Sequence, residues 1–176
     1  MSVELRAFLF SWAFEPTIVV GLVLVGGLYA LGWARMRRLA GGRGALPTWR
    51  AWCFGGGLVA VALALLSPIA VYVPLFFHMH MIQHMLLIIV AAPLLALGEP
   101  LLPLLRALPA GVRRAVGGLL APRRAAGKLF LFLTHPSLAA CLFLGVVALW
   151  HIPAFYDAAQ GRTATHDIEH LSFLGS

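Results

Sequence analysis

The stretch AWCFGGGLVAVALALLSPIAVYVPLFFHMHMIQHMLLIIVAAPLLALG, residues Ala51 to Gly98, contains no Asp, Glu, Lys or Arg. Crossing the hydrocarbon core of a bilayer takes roughly 20 apolar residues in a helix, because no water is present there to satisfy exposed backbone groups. The stretch is too long for one such helix, and a Ser-Pro pair at 67–68 and Pro74 interrupt it. It therefore predicts two membrane spans, at about 51–67 and 76–97, joined by a short turn.

Two further uncharged runs lie on either side of this stretch, and they predict spans at about 16–34 and 129–150. A last apolar helix begins near His166 and reaches the end of the sequence after too few residues to cross a bilayer. The predicted fold is an all-α, polytopic transmembrane helix bundle with four complete spans, in a single membrane domain over 1–176. Residues 166–176 would be the start of a fifth span, so we expect the chain to be truncated at its C-terminus.

The composition separates this chain from soluble proteins. It is 61% hydrophobic and only 11% charged, well outside the usual proportions of a soluble fold. The net charge of +7 could indicate a nucleic-acid partner, but the basic residues form two clusters between apolar runs, without a pattern of interleaved aromatic residues. We therefore expect no nucleic acid. Cys53 and Cys141 lie in apolar stretches without a CxxC spacing, so neither a disulfide framework nor a thiolate zinc site is predicted.

The Lys and Arg residues predict the orientation of the spans, since basic residues are retained on the cytoplasmic side. Eleven of the thirteen lie in the connections after the first and third spans. We therefore expect a multi-pass protein of the bacterial inner membrane with its N-terminus outside. The connection after the third span mixes leucines with arginines. It could lie along the anionic cytoplasmic leaflet, or form a solvated basic loop that only sets the topology.

The third span opens with the polar run FHMHMIQHM, residues 77–85, which a purely structural membrane helix rarely needs. At about 100° per residue, His80 and His84 are only about 40° apart and one turn from each other, whereas His78 points to nearly the opposite side. His80 and His84 are therefore the natural pair. Among the methionines of this run, Met81 and Met85 are predicted to support a metal site.

Two more sets of histidines are expected at the same outer level, because neighbouring spans alternate in direction. The fourth span ends at WHIP, residues 150–153, and the fifth begins with HDIEH, residues 166–170. Imidazole binds copper, zinc and iron, whereas thioether sulfur favours cuprous copper, so this mixture favours copper. Asp167 or Glu169 could orient a liganding ring or bind the metal directly. The predicted metal ligands are His80, His84, His166, His170, His78 and His151.

Other interpretations of these histidines remain open. They could form hydrogen bonds between helices or line a wet cavity, with the methionines only packing. HDIEH also matches the H-x-x-E-H pattern of zinc proteases, in which two helical histidines bind zinc and the glutamate activates water. A pair such as His84 with His170 could instead supply the axial ligands of a haem. His135, next to Pro136, lies away from the outer face and is expected to make a local hydrogen bond beside a proline kink.

Three spaced motifs resemble one family. SPIAVYVPLFFHMHMIQHMLLIIVAAPLLALGEPLL, LWHIPAFYDAA and HDIEHLSF are together similar to the polytopic CtaG family of cytochrome c oxidase assembly factors. The resemblance covers roughly Ser67 to Ser176, and the residues before it match only in hydropathy. Carried over from the family, the outer-face histidines would be His78, His80, His84, His151, His166 and His170. Family members continue through further spans after the HDIEH helix.

The resemblance implies assembly of a respiratory oxidase rather than enzymatic turnover. We expect the protein to act on a cytochrome c oxidase subunit within the lipid bilayer and to assist formation of its copper centre. The histidine cluster, on the periplasmic side, would hold copper transiently and release it. The alternatives are a membrane chaperone that binds no metal, an intramembrane zinc hydrolase and a haem-binding membrane protein.

Overall fold

The computed structural model describes residues 6, 10–39, 47–73, 75–155 and 163–175. All the regular structure in these ranges is helical, which confirms the prediction of an all-α chain. Three helices are long and apolar enough to cross a membrane: Pro16–Leu39, Thr48–Tyr72 and Phe77–Leu97. A fourth candidate span is a pair of helices, Ala125–Leu133 and Pro136–Trp150, bent by 68° at their junction. The chain is thus a multi-pass membrane protein by the length and composition of its helices.

The chain divides into two compact units, Met1–Ala107 and Leu108–Ser176. The first unit contains three candidate spans. The second contains the bent pair and the helix Thr163–Gly175. Three features of the predictions lie outside the described part of the chain: Pro74 of the turn, and the side chains of His166 and Asp167.

In the first unit, helix α1 is Pro16–Leu39 and helix α2 is Thr48–Leu66. The Ser-Pro pair interrupts the second span at one residue: Ser67 has an extended backbone (φ −80°, ψ 175°), and the helix restarts directly after it. The Ser67 hydroxyl accepts a hydrogen bond from the Ile69 N–H at 3.2 Å, and this cap starts helix α3, Pro68–Tyr72. The break predicted from this pair is therefore a capped restart of the helix.

The third candidate span is not a uniform α-helix. Helix α4, Phe77–Met85, is followed by a π-helical segment, Leu86–Ala91, and by helix α5, Ala92–Leu97. In the π-helical segment the Ala92 N–H donates to the Leu87 carbonyl, five residues earlier. Pro93 explains the wider turn, since it has no N–H to donate and its ring would collide with a carbonyl one α-turn earlier.

Helices α2 and α5 pack closely because of glycine. A Cβ placed on Gly57 would lie 2.7 Å from Cγ of Leu95, and one placed on Gly98 would lie 2.7 Å from Cβ of Phe54. The Phe54 ring stacks on Tyr29 of α1, with ring centroids 3.8 Å apart. Small residues let membrane helices approach in this way, and the resulting contacts fix the third span against the second.

The connection that follows α5 begins as folded structure. Helix α6, Leu101–Ala107, packs on α1, where a Cβ on Gly32 would collide with the Pro103 carbonyl. Arg35 Nη1 donates to the carbonyls of Arg106 and Ala107, at 3.1 and 2.7 Å. This part of the basic connection is therefore docked on the first span, and the interpretation as a solvated loop does not hold for it.

The second unit contains helices α7, α8, α9 and α10, which are Ala110–Leu119, Ala125–Leu133, Pro136–Trp150 and Thr163–Gly175. The 68° bend lies between α8 and α9, where Pro136 restarts the helix. The Thr134 hydroxyl donates to the Phe130 carbonyl at 2.8 Å and ends α8. His135 precedes the restart, and its side chain makes no capping hydrogen bond. Helix α9 packs on α10.

Candidate metal centre

The structure pairs two imidazoles on helix α4. His80 and His84 are 1% and 6% exposed, and their ring centroids lie 4.1 Å apart with an angle of 56° between the ring planes. Their separation of four residues puts both side chains on one face of the helix, one turn apart. Burial of a polar ring is costly unless it has a polar partner, so this face of α4 is a polar site within a membrane helix.

A glutamine anchors the same face of α4 to the second span. Gln83 is 2% exposed, and its Nε2 donates to the carbonyl of Ala64 at 2.9 Å. In a regular helix the residue four positions after Ala64 would donate to that carbonyl, but this residue is Pro68, which has no N–H. The amide of Gln83 supplies the missing donor. The Ser-Pro break in the second span therefore provides the carbonyl on which the helix with the histidine pair is anchored.

The other candidates in the polar run lie on other faces of α4. His78 is exposed, with its ring centroid 5.3 Å from that of Phe76. Met85 is 54% exposed, and Met81 is half-buried. The structure therefore places His80 with His84 and does not place His78 beside them.

In the second unit, Glu169 and His170 on α10 are 2% and 6% exposed. A chain of hydrogen bonds fixes this part of the helix. The indole N–H of Trp150, at the end of α9, donates to the Ser172 hydroxyl at 2.9 Å, and that hydroxyl donates to the Glu169 carbonyl at 2.7 Å. Trp150 is itself 7% exposed, so the link joins α9 and α10 within a packed interface.

His151 follows directly after α9 and is exposed. Its Nδ1 lies 2.7 Å from the Val147 carbonyl, and because a carbonyl oxygen only accepts, Nδ1 carries the proton in this contact. The other ring nitrogen, Nε2, is then the one that could bind a metal. The backbone of His166 and Asp167 is helical, as part of α10.

Three of these buried residues have the chemistry of metal ligands. His80 and His84 in the first unit, and Glu169 in the second, each carry an atom of a kind that binds metal ions. Imidazole nitrogen and carboxylate oxygen are ligands for zinc, copper and iron alike.

Three residues that hold the buried side chains of α4 and α10 in place are not indicated by the sequence patterns. In the sequence, Gln83 stands out only as part of the polar run, and no pattern assigns a role to Trp150 or Ser172. The available signal was the spacing from Ala64 to Pro68, which shows that one carbonyl of the second span lacks its helical donor. For the link between Trp150 and Ser172, the sequence offers only a tryptophan at a helix end, a common feature of membrane proteins.

Comparison with known proteins identifies a family. The family model described as "Cytochrome c oxidase caa3 assembly factor (Caa3_CtaG)" matches residues 27–176. The match includes the histidine pair of α4, the Trp150-His151 end of α9 and the whole of α10. It also extends well before Ser67, where the resemblance by motif began.

Curated relatives match almost the entire chain. An uncharacterized protein of Mycobacterium leprae is 28% identical over 172 residues, which is 95% of this chain and 25% of the relative. An uncharacterized protein of Mycobacterium bovis is 29% identical over 171 residues, 93% of this chain and 24% of the relative. The chain thus spans about a quarter of the length of these relatives. No solved structure matches the chain.

Proposed function

The chain belongs to the family of cytochrome c oxidase caa3 assembly factors, and from this membership we propose that it assists the assembly of a cytochrome c oxidase. The family is described by assembly and not by a catalysed reaction. We accordingly assign the protein a role in forming the oxidase, with no turnover of a substrate.

The proposed site is built around His80 and His84. The observation that carries this proposal is their burial on one helix face with ring centroids 4.1 Å apart. Two imidazoles supply only part of the coordination of a copper or zinc ion, so further ligands are needed. We assign these to the predicted fourth and fifth spans: Glu169, His170, His166 and His151, with Asp167 orienting a ring. His78 is a second point of metal contact, separate from the pair.

Copper is the proposed cargo. Imidazoles bind cupric and cuprous copper, and thioethers favour the cuprous ion. Met81 and Met85 lie on the same helix as the histidine pair, and their partial exposure suits a route by which copper enters or leaves. A cargo site must release its ion, which favours few ligands with methionines nearby over a closed tetrahedral site. We place this end of the spans on the periplasmic side, following the distribution of basic residues.

The proposed partner is an oxidase subunit within the bilayer. Large apolar side chains of α1 face outward, among them Val23 and Leu24, which are 68% and 59% exposed. Such faces can contact lipid or another membrane helix. Copper would then pass to the nascent subunit through contacts within the membrane, without exposure of the ion to bulk water.

The test compares oxidase maturation in cells that lack the protein and are complemented with variants. We expect the His80→Ala, His84→Ala double variant to reach the membrane and to leave the oxidase poor in copper. His135→Ala is the matched control, since this exposed histidine lies at the bend of the second unit, and it should restore the native copper content.

Normal oxidase copper with the double variant would contradict the transfer of copper by this pair. If deletion of the protein still blocked assembly in that case, a chaperone that binds no metal would replace the copper proposal. Normal oxidase assembly after deletion would contradict the assembly role itself.

A further inference from the structure

A strongly basic segment follows helix α6, and the proposed function assigns it no role. Helix α7, Ala110–Leu119, and the residues that follow it carry five basic side chains and no acidic one: Arg113, Arg114, Arg123, Arg124 and Lys128. The nearest acid before this segment is Glu99, and the nearest after it is Asp157. The segment therefore has a positive field that its own sequence does not neutralise.

Helix α7 has two distinct faces. At about 100° per residue, Val112, Val116 and Leu119 fall within about 60° of one another. Arg113 lies on the flank of this apolar stripe, about 60° from Val116, and Arg114 lies on the opposite side of the helix with small glycines. A short helix with an apolar stripe and a basic face is typical of segments that lie in the plane of a membrane surface.

Both faces of α7 are open within the described part of the chain. None of its ten residues is buried, and Val112 and Leu119 are 48% and 52% exposed. The Arg114 Nε donates to the Ala110 carbonyl one turn earlier, at 3.3 Å, so this guanidinium stays beside its own helix. The apolar stripe would therefore stay exposed in water, and its burial requires contact with another apolar surface.

The following helix indicates what that apolar surface is. Arg123 and Arg124 lead directly into α8, Lys128 lies in its first half, and the apolar side chains that follow Lys128 face outward. Leu131 and Phe132 are 53% and 63% exposed, as expected for a helix in contact with acyl chains. The basic residues next to such a helix lie at the depth of the phospholipid headgroups, where positive side chains are attracted to anionic lipids.

We propose that α7 and the basic residues after it form a docking surface for anionic phospholipids. The stripe of Val112, Val116 and Leu119 enters the boundary between headgroups and acyl chains, and the five basic side chains contact the phosphates. This inference is independent of the proposed function, because it uses none of the histidines and does not require a metal or an oxidase.

The experiment uses the whole chain reconstituted in vesicles, with a polarity-sensitive fluorophore on Leu119→Cys in a Cys53→Ser, Cys141→Ser background. One set of vesicles contains phosphatidylcholine alone, and the other contains phosphatidylcholine with phosphatidylglycerol. We expect a blue shift and quenching by brominated lipid in the anionic vesicles, both reduced by high salt. Phosphatidylcholine alone should leave the fluorophore in a polar environment.

Two matched pairs of adjacent arginines complete the test. Arg113→Gln with Arg114→Gln should remove most of the blue shift and the quenching, whereas Arg37→Gln with Arg38→Gln, at the exposed end of α1, should leave both unchanged. Circular dichroism checks that each variant keeps its helices. The proposal is overturned if the fluorophore responds equally to both lipid mixtures, or if the two arginine pairs have the same effect.

Discussion

The two ends of the first unit both carry polar groups, but these groups are used differently. At the end that holds Glu99, three polar side chains link separate elements: Arg50 pairs with Glu99, the Tyr29 hydroxyl donates to the Gly98 carbonyl at 2.9 Å, and Arg35 bridges two carbonyls of α6. At the other end, the buried rings of His80 and His84 lie next to each other, with centroids 4.1 Å apart and an angle of 56° between the ring planes. The groups at the first end hold helices together, and we propose that the two rings at the other end bind a metal.

The two ends are therefore expected to respond differently to substitution. Substitutions at the end of the first unit that holds Glu99 should lower the free energy of unfolding without changing metal content. Substitution of the histidine pair should change metal content at a small cost in stability. The substitutions below test this separation, in order of decreasing effect on the free energy of unfolding.

Gly32→Ala should be the most damaging substitution. A Cβ at Gly32 collides with the Pro103 carbonyl, and backbone cannot move aside as a flexible side chain does. Overpacking of this kind costs about 3 kcal/mol. Gly27→Ala is the matched control on the same helix, since a Cβ there meets nothing within 4 Å. Thermal unfolding in detergent should show a large fall in the midpoint for Gly32→Ala only; equal midpoints would mean that α6 is not docked on α1.

Gln83→Leu tests the link between the two ends. The substitution keeps a side chain of similar size but leaves the Ala64 carbonyl, which Pro68 cannot serve, without the amide donor. An unsatisfied buried carbonyl costs about 2 kcal/mol. Because Gln83 also fixes the face that carries the histidine pair, the variant should bind metal more weakly. Gln83→Glu and Gln83→Asn should also bind metal less well than the native protein. Native stability and native metal content in Gln83→Leu would show that this hydrogen bond is unimportant.

Arg35→Gln should have the smallest effect of the three. It removes a charged donor to the carbonyls of Arg106 and Ala107, but the contact with Arg106 is exposed to solvent. We expect a loss of about 1.5 kcal/mol, the lower end for charged hydrogen bonds. Arg38→Gln, on an exposed arginine of the same helix, serves as the control. A loss of metal from Arg35→Gln would contradict the separation of the two ends.

The sequence was sufficient where local rules decide the structure. Long uncharged runs predict helices, because a bilayer allows few other structures. The spacing of His80 and His84 places their rings together through helix geometry alone. The π-helical segment, the docking of α6 and the bond from Gln83 to Ala64 depend on how separate helices fit against one another. Neither hydropathy nor helical periodicity specifies how the helices are aligned against one another. A proline can show that a carbonyl lacks its helical donor, but it does not identify the new donor.

The histidines beyond α4 show the same limit. Their sequence motifs place them at helix ends, and the family match includes them. Which of them complete a metal site with His80 and His84 depends on contacts between helices, and it stays a prediction that the variants must test. Single substitutions of His151, His166 and His170 to Ala, each compared with His135→Ala, would rank their contributions to metal content.

The most direct test is the metal content of the purified protein after loading with cuprous or cupric copper and removal of free ions. We predict that the native protein retains copper, that His78→Ala retains most of it, and that His80→Ala with His84→Ala loses it while keeping its helical circular dichroism. Equal copper in the native protein and the double variant, or no copper in either, would contradict the claim that the buried histidine pair is the metal site.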